Sequence, residues 1–305
     1  MYSLRDVFVF ALIRLAERDE RIYVLDCDVA PHNRLQYFIK QFPQRGLQLG
    51  IAEQNAIGVA AGMATCGLLP VVSSFAAFIV GRCWEQIRHS VAYNRANVKI
   101  FATHAGLSAG EDGATHQCLD DLALMLAIPG MHVFAPAFDW ECETVVKQVL
   151  ESSDPAYIRV GRDEIDDVSL PHGGVRGAMQ VTSGEGKTAV ISTGEITHEA
   201  IEASLLLKEY GMSARVIHVS RLHPFPVDDL KDCLRGVDTI FTVEEHRLHG
   251  GLHSIISRFL VNSNIKVHTL GQLDGFGQTG RTDELRRYYG IDKHAIINKI
   301  IHQSE

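Results

Sequence analysis

The chain has 305 residues, of which 46% are hydrophobic, so it is long enough for two ordinary domains with well-filled cores. Its formal net charge of −8 and the lack of any cluster of Lys and Arg argue against nucleic acid as a partner. Six cysteines without a CxxC pair favour neither a zinc site nor a disulfide framework, and a reducing, cytoplasmic setting fits them best.

The first half of the chain alternates between short apolar runs and amphipathic segments. Strands are predicted at 21–28, 47–51, 68–75, 97–106, 131–137 and 156–162. Helices are predicted at 4–18, 31–43, 53–67, around 84–91, from 120 to 126 and at 139–150. Strands that alternate with helices in this way are typical of a mostly parallel sheet with helices on both faces.

The composition changes between 166 and 186, where glycines follow an acidic stretch, and we interpret this segment as a linker with an embedded short strand. Beyond it, strands at 187–194, 213–220, 238–246 and 266–271 again alternate with helices. The sequence therefore predicts an α/β fold with a first domain at 1–165, a linker at 166–186 and a second, smaller α/β domain at 187–305.

The segment 47–67 has Glu53 as the only charged residue in its middle, directly before a helix rich in alanine and glycine. That helix is apolar nearly all round, which indicates burial. At a helix start, Glu53 could merely complement the positive end of the helix dipole, an effect of a few tenths to about 1 kcal/mol. Alternatively, a carboxyl shielded from water holds its proton more readily and can exchange it with a bound ligand.

No Asp, Glu, Lys or Arg occurs between Glu53 and Arg82, a length that would permit a membrane-spanning helix. Gly67, Pro70 and the adjoining serines divide this stretch into a helix, a turn, a strand and a second helix. We therefore expect no membrane segment.

Several side chains that could bind a ligand fall at or just beyond the ends of predicted strands. They are Asp28, Glu53, Phe75, His104 and Arg162. Because ligand sites in parallel sheets lie at the carboxyl ends of the strands, we expect these side chains to share one edge of the first sheet.

Four strings occur in order along the chain: GIAEQN at 50–55, SFAAF at 74–78, THAGLSAGEDGATHQ at 103–117, and VEEH with a following GG at 243–251. Together they resemble the transketolase family, and the resemblance covers essentially the whole chain. It is a resemblance to the C-terminal half of that family, the pyrimidine-binding domain and the terminal domain. Split transketolases carry these two domains on a separate polypeptide.

In that family a GDG followed by Asn residues holds magnesium and the diphosphate of thiamine diphosphate, and this sequence lacks that signature. A diphosphate needs a metal and backbone donors, and neither a GxGxxG nor a P-loop replaces them. His246, His249 and His253 do not indicate a metal site, since their spacings cross a strand end and a glycine pair. The resemblance thus implies an N-terminal partner subunit that binds the diphosphate and Mg²⁺, in an α2β2 heterotetramer.

The resemblance also assigns the residues that face the cofactor. Glu53 corresponds to the acid that binds N1 of the aminopyrimidine and promotes its imino tautomer. Phe78 corresponds to the aromatic residue that stacks on the pyrimidine, with Phe75 as its neighbour, and stacking orients a ring at little entropic cost. Asp28 corresponds to the acid near the thiazolium.

His116 and Asp112 match family residues that contact the carbonyl end and the hydroxyls of the sugar donor, and with Glu53 they form the expected catalytic set. A histidine suits proton transfer near neutral pH, and an aspartate suits recognition of hydroxyls.

His104, Arg162 and Arg5 match positions that hold the sugar phosphate at the outer end of the channel, where a guanidinium fits a tetrahedral anion. His32 stands where transketolases often carry a phosphate-binding serine. A phosphate, a sulfonate and an unphosphorylated end therefore remain open.

The resemblance implies an enzyme that transfers a two-carbon ketol unit from a ketose to an aldose and is active only with its partner. One alternative is an activity like deoxyxylulose-phosphate synthase, or the beta subunit of a 2-oxoacid or acetoin dehydrogenase. The string GEDGATHQ favours transketolase over those dehydrogenases. Another alternative is a non-catalytic assembly or regulatory relative, against which the intact catalytic set argues.

Overall fold

The computed structural model describes residues 2–165, 176–184, 186–272 and 274–304. The strands of the first half are β1 (Tyr2–Ser3), β2 (Ile22–Asp26), β3 (Gly46–Gln48), β4 (Leu69–Phe75), β5 (Lys99–Thr103), β6 (His132–Phe134), β7 (Ala156–Arg159) and β8 (Glu164–Ile165). Those of the second half are β9 (Ala178–Gln180), β10 (Thr188–Ser192), β11 (Ala214–Val219), β12 (Arg221–His223), β13 (Thr239–Arg247) and β14 (Lys266–Gln272).

Helices lie between most of these strands, as predicted, and two further helices follow the last strand. They are α1 (Leu4–Ala16), α2 (Ala30–Asn33), α3 (Gln36–Gln41), α4 (Glu53–Thr65), α5 (Ala76–Ile79), α6 (Trp84–Gln86), α7 (Asp121–Leu126), α8 (Asp139–Glu151), α9 (Thr197–Leu206), α10 (Val227–Cys233), α11 (Leu252–Phe259), α12 (Thr282–Tyr288) and α13 (Lys293–Ser304). Shorter turns of 3-10 helix occur at Gly110–Asp112, Gly194–Ile196 and Leu207–Tyr210, and a π-helix at Ile87–Tyr93. Within the described ranges, no helix is long and apolar enough to cross a membrane.

The first sheet has the strand order β12-β6-β7-β5-β4-β2-β3, and all its neighbouring strands are parallel except β12 and β6. Val24 and Leu25 are both buried but belong to different hydrophobic clusters, because successive side chains point to opposite faces of a strand. One cluster includes α1, α3 and α8, and the other includes α4 and α7. The sheet is thus covered on both faces.

The second sheet has the order β14-β13-β10-β11-β9, with β9 antiparallel and the other four strands parallel. Helices α9 and α13 contribute to a cluster that covers one of its faces. Its other face shares a continuous hydrophobic cluster with the first sheet, which joins Ile100 and Tyr157 to Ile217 and Leu230. These two mostly parallel sheets confirm the predicted fold class.

Three local features differ from the sequence prediction. The helix predicted at 31–43 is two helices, α2 and α3, because Arg34 between them adopts a left-handed conformation with φ of 71°. Helix α4 is not buried all round, since Gly58 and Gly62 are exposed on one face. Strand β12 lies beyond the predicted linker yet extends the first sheet, and three residues are too few for a sequence pattern to reveal it.

Glu195 links the second half of the chain to a loop of the first. Its Oε1 accepts the Gly161 N–H at 2.8 Å, in a buried setting. Burial, together with the carboxylates of Asp163 and Glu245, raises the pKa of Glu195 to about 8. The folded chain therefore keeps a proton on Glu195 at pH values where the unfolded chain has lost it.

This pKa shift predicts how stability changes with pH. The protonated Glu195 stabilises the fold fully below pH 4.5, and that stabilisation is lost as pH rises toward 8. Glu195→Gln cannot ionise, so its free energy of unfolding relative to wild type should rise by at least about 1 kcal/mol between pH 5 and 8.5. Urea unfolding at both pH values measures this, with the exposed Glu209→Gln as control, and a pH-independent difference would contradict it.

Candidate active site

A cavity of about 740 Å³ lies at the carboxyl ends of β2, β4, β5 and β7. Of the ten residues predicted to form the site, nine line this cavity: Arg5, Asp28, His32, Phe75, Phe78, His104, Asp112, His116 and Arg162. Glu53 is the exception. Strand β1, which precedes Arg5, pairs antiparallel with β8, which follows Arg162, and this brings together two residues 157 positions apart.

Arg5 fixes the two loops that border the cavity. Its Nη1 donates to the His32 carbonyl at 2.6 Å, and its Nη2 donates to the Arg162 carbonyl. The side chain is buried, which lowers its pKa, and the nearby Arg34 acts in the same direction. Both terminal nitrogens of Arg5 are therefore committed to backbone oxygens, and Arg5 sets the distance between the loops after β2 and β7.

Backbone strain is concentrated at this cavity. Of the four non-glycine residues with positive φ within the described ranges, three line it: Asp28 at 68°, Arg34 at 71° and His104 at 56°. The Asp28 N–H donates to Asp26 Oδ2 at 3.0 Å and to Gln48 Oε1 at 3.1 Å, which holds its unusual conformation. Such positions are uncommon and cluster at functional sites.

Five rings form one wall of the cavity. Phe75 is stacked between His104, at a centroid distance of 3.7 Å, and Phe78, at 5.5 Å. The His116 ring meets Phe78 edge-on at 5.2 Å, and the His32 ring meets Phe75 edge-on at 6.1 Å. The sequence predicted Phe75 as a neighbour of Phe78, and the structure adds the three histidine rings to the same aromatic surface.

His104 is buried and uncharged at physiological pH. Burial, together with the positive charges of Arg5 and Arg162, lowers its pKa to about 2. Its Nδ1 lies 2.9 Å from the Thr103 hydroxyl. His104 can thus act toward a ligand as a neutral hydrogen-bonding group, but not as a cation.

Asp112, His116 and Arg162 lie at the outer part of the cavity. The Nη1 atom of Arg162 is 3.6 Å from Asp112 Oδ2, and both side chains are partly exposed to solvent. His116 Nδ1 is 2.9 Å from the Thr115 hydroxyl. These three side chains can offer a ligand one carboxylate, one imidazole and one guanidinium.

Glu53 is the first residue of α4 and is only 2% exposed. The Ser74 hydroxyl donates to its Oε1 at 3.3 Å, and Arg82 Nη1 lies 3.0 Å from its Oε2. The Arg82 guanidinium also lies 4.7 Å from the Phe78 ring centroid. Arg82 therefore connects the buried carboxylate to the aromatic wall.

Sequence reasoning did not identify Arg82 or Arg34. Arg82 could have been found, because it ends the uncharged stretch that begins after Glu53. Arg34 lines the cavity and its Nε lies 3.0 Å from Asp6 Oδ1, a contact across 28 positions that leaves no local pattern. Asp163 and Glu164 also line the cavity and were assigned only to the margin of the linker.

His246, near the end of β13, and His249 and His253, which follow that strand, do not line this cavity. His246 is buried, its Nε2 accepts the Ala123 N–H at 3.3 Å and its Nδ1 lies 2.6 Å from the Arg247 carbonyl. His253 Nδ1 lies 3.3 Å from the Thr242 hydroxyl. His246 therefore links β13 to α7 of the first half, whereas His253 packs within the second half.

Two family models match the chain. The model described as transketolase, pyrimidine binding domain, matches residues 1–167, and that described as transketolase, C-terminal domain, matches residues 177–296. A putative transketolase C-terminal section from Methanocaldococcus jannaschii is 38% identical over 310 residues, which cover 99% of this chain and 96% of that protein. One subunit of an apulose-4-phosphate transketolase from Phocaeicola vulgatus is 33% identical over 298 residues, which cover 97% of this chain and 96% of that protein.

The solved structure described as split gene transketolase, inactive beta4 tetramer, superposes with a TM-score of 0.86 at 35% identity and covers 97% of this chain and 96% of that one. A 1-deoxy-D-xylulose-5-phosphate synthase from Syntrophus aciditrophicus is 33% identical over 300 residues, but the match covers 46% of that protein. The chain belongs to the transketolase family, of which it carries the pyrimidine-binding domain and the C-terminal domain.

Proposed function

We propose that this chain is the C-terminal subunit of a thiamine-diphosphate-dependent transketolase that moves a two-carbon ketol unit from a ketose to an aldose. The observation that carries the proposal is a buried carboxylate, Glu53, beside the aromatic wall of a cavity that also presents hydroxyl-binding and anion-binding side chains. The pyrimidine-binding domain of the family implies thiamine diphosphate as cofactor.

The residues present fit the aminopyrimidine half of that cofactor. A flat heteroaromatic ring needs an apolar stacking surface, which Phe78 supplies with Phe75 packed against it, and its ring nitrogen needs a partner that can share a proton. Glu53 is placed for this contact, because its carboxylate is paired with Arg82, whose guanidinium lies over the Phe78 ring. When bound, thiamine diphosphate supplies the nucleophilic carbon that ketol transfer requires.

Glu53 would hold a proton against the ring nitrogen of the cofactor. Ser74 donates to one carboxylate oxygen and Arg82 pairs with the other, so both orient the group. The Arg82 guanidinium also lies over the Phe78 ring. A cofactor ring that stacked on this face of Phe78, beside Glu53, would therefore displace the Arg82 side chain. We assign Arg82 a role in holding Glu53 until the cofactor enters.

The outer cavity would bind the sugar. Asp112 and His116 suit the hydroxyls and the carbonyl end of a ketose, and the neutral His104 can donate or accept a single hydrogen bond. Arg162 and His32, which line the same cavity, suit an anionic group at the far end of the sugar. Whether that anion is a phosphate or a sulfonate stays open.

The partner would be an N-terminal subunit that holds the diphosphate and Mg²⁺, in an α2β2 heterotetramer. One observation supports this assignment. Relatives of this length are described as the C-terminal section, or as one subunit, of a transketolase.

The test of the proposed function is product analysis with the purified two-subunit complex. We expect a ketose phosphate and an aldose to yield a ketose two carbons longer than that aldose and an aldose phosphate two carbons shorter than the donor, with no release of CO₂. The synthase-like alternative has support in the match to deoxyxylulose-phosphate synthase. If the complex instead released CO₂ from pyruvate and left the ketose untouched, the transketolase proposal would be wrong.

Arg162→Ala tests the anion site. A charge-assisted hydrogen bond contributes about 1.5 to 3 kcal/mol, so the KM for an anionic ketose should rise about 10- to 100-fold. The KM for an unphosphorylated ketose should change less than about threefold, since it lacks the charge. Arg235→Ala, at an exposed pair with Asp232, serves as control. An equal rise for both ketoses would remove Arg162 from the anion site.

A further inference from the structure

Two loops from opposite halves of the chain meet beside the cavity. The first, residues 110–117, carries Asp112 and His116 and is called here the donor loop. The second, residues 274–281, connects β14 to α12 and is called the C-terminal loop. The side chain of Gln117 joins them: its Nε2 donates to the Gln278 carbonyl at 2.7 Å and lies 3.4 Å from the Gly110 carbonyl.

Gln117 is placed where its side chain can hold the donor loop in position against the C-terminal loop. It is 8% exposed, and it follows His116 directly in the chain. One bond of its amide crosses to the other half of the chain, and the other closes the donor loop on itself. Fixing this side chain therefore fixes both ends of the donor loop.

The two loops are packed without space between them. A Cβ added to Gly277 would lie 1.6 Å from Gln117 Oε1, and a Cβ added to Gly113 would lie 2.5 Å from Thr279 Oγ1. Neither distance is possible for a real contact, so only glycine fits at 277 and 113 with the neighbours where they are. The φ of Gly113 is also positive, at 78°, whereas Gly277 has no such constraint.

Arg247 makes a second bridge between the same regions. Its backbone N–H donates to the Leu119 carbonyl at 2.7 Å, two residues after Gln117. Its Nη2 donates to the Gly275 carbonyl at 2.9 Å, in the C-terminal loop. Arg247, the last residue of β13, thus contacts both the chain just after the donor loop and the C-terminal loop.

We propose that Gln117 is a positioning residue through which the C-terminal domain fixes Asp112 and His116 for the sugar donor. Its role rests on the proposed function, because the donor loop is taken to bind the ketose. The second half of the chain then contributes to substrate binding as well as to assembly. Small displacements of binding groups are costly, since hydrogen-bond geometry tolerates little misplacement.

The test uses the two-subunit complex and four variants of this chain. Gln117→Ala removes both hydrogen bonds, and Gly277→Ala forces the Gln117 amide away. We expect each to raise the KM for the ketose about tenfold, with kcat changed less than threefold. The double variant should be no worse than Gln117→Ala alone, because the clashing amide is already gone. Gln278→Ala is the matched control, since only its backbone carbonyl is used.

Hydrogen exchange of the donor loop in the same complexes provides a readout that does not depend on activity. We expect backbone amides at 113–117 to exchange at least tenfold faster in Gln117→Ala and at the wild-type rate in Gln278→Ala. Unchanged exchange in Gln117→Ala would overturn the proposal, whatever reaction the complex performs. A fall in kcat with unchanged KM, or additive effects in the double variant, would also overturn it. If the wild-type complex moved no ketol unit, the proposed function would fail while the exchange result still decided whether Gln117 holds the loop.

Discussion

Glu53→Gln is expected to reduce ketol transfer by the two-subunit complex about 10²- to 10⁴-fold, the range usual for the loss of a proton-transferring group. Glutamine has nearly the same shape, so it can still accept the Ser74 hydroxyl and fill the start of α4. It cannot take a proton from a bound ring. The expected loss is therefore in turnover and not in folding or assembly.

Steady-state turnover and analytical ultracentrifugation of the same preparations measure this prediction. Glu85→Gln is the matched control, because Glu85 lies close in sequence to Arg82 but its side chain is 74% exposed. The control should retain normal turnover. Near-normal turnover in Glu53→Gln, with the complex intact, would show that Glu53 only complements the helix dipole.

The isolated chain is expected to show no ketol transfer above background, and to gain it when the diphosphate-binding subunit is added. The reason is chemical: the cavity offers groups for a pyrimidine and a sugar, whereas the sequence has no GDG signature for a metal-bound diphosphate. A related solved structure is itself described as an inactive beta4 tetramer. That description fits the expectation for this chain alone.

The assay compares the chain, the partner and their mixture at equal subunit concentration, each with thiamine diphosphate and Mg²⁺. Partner alone is the control for contaminating activity. Full turnover by the chain alone would refute the assignment as one half of a divided enzyme.

Much of the fold follows from local pattern. Parallel strands buried on both faces have continuous apolar runs, so β2, β4 and β5 were predictable from sequence. Their order explains why Asp28, Phe75 and His104 share one edge. The break at Arg34 was not predictable, since a left-handed arginine is stabilised by its contacts and not by its own preference.

Candidate site residues were predictable where they belong to a sequence motif. They were not predictable where their role depends on contacts with residues far away in the sequence. Glu53, Asp112 and His116 lie in recognisable strings. The sequence identified Arg5 as a site residue but did not reveal its role. Its hydrogen bonds to the His32 and Arg162 carbonyls depend on how distant loops meet. The same holds for Gln117, whose partner is a backbone oxygen 161 positions away.

The central claim is that this chain supplies the pyrimidine half of a thiamine diphosphate site that another chain completes. Isothermal titration calorimetry with thiamine diphosphate and Mg²⁺ tests it directly, on this chain, on the partner and on the complex. The account predicts that the complex binds the cofactor at least 100-fold more tightly than this chain alone, a difference of about 2.7 kcal/mol. Equal affinity of the isolated chain and the complex would contradict it.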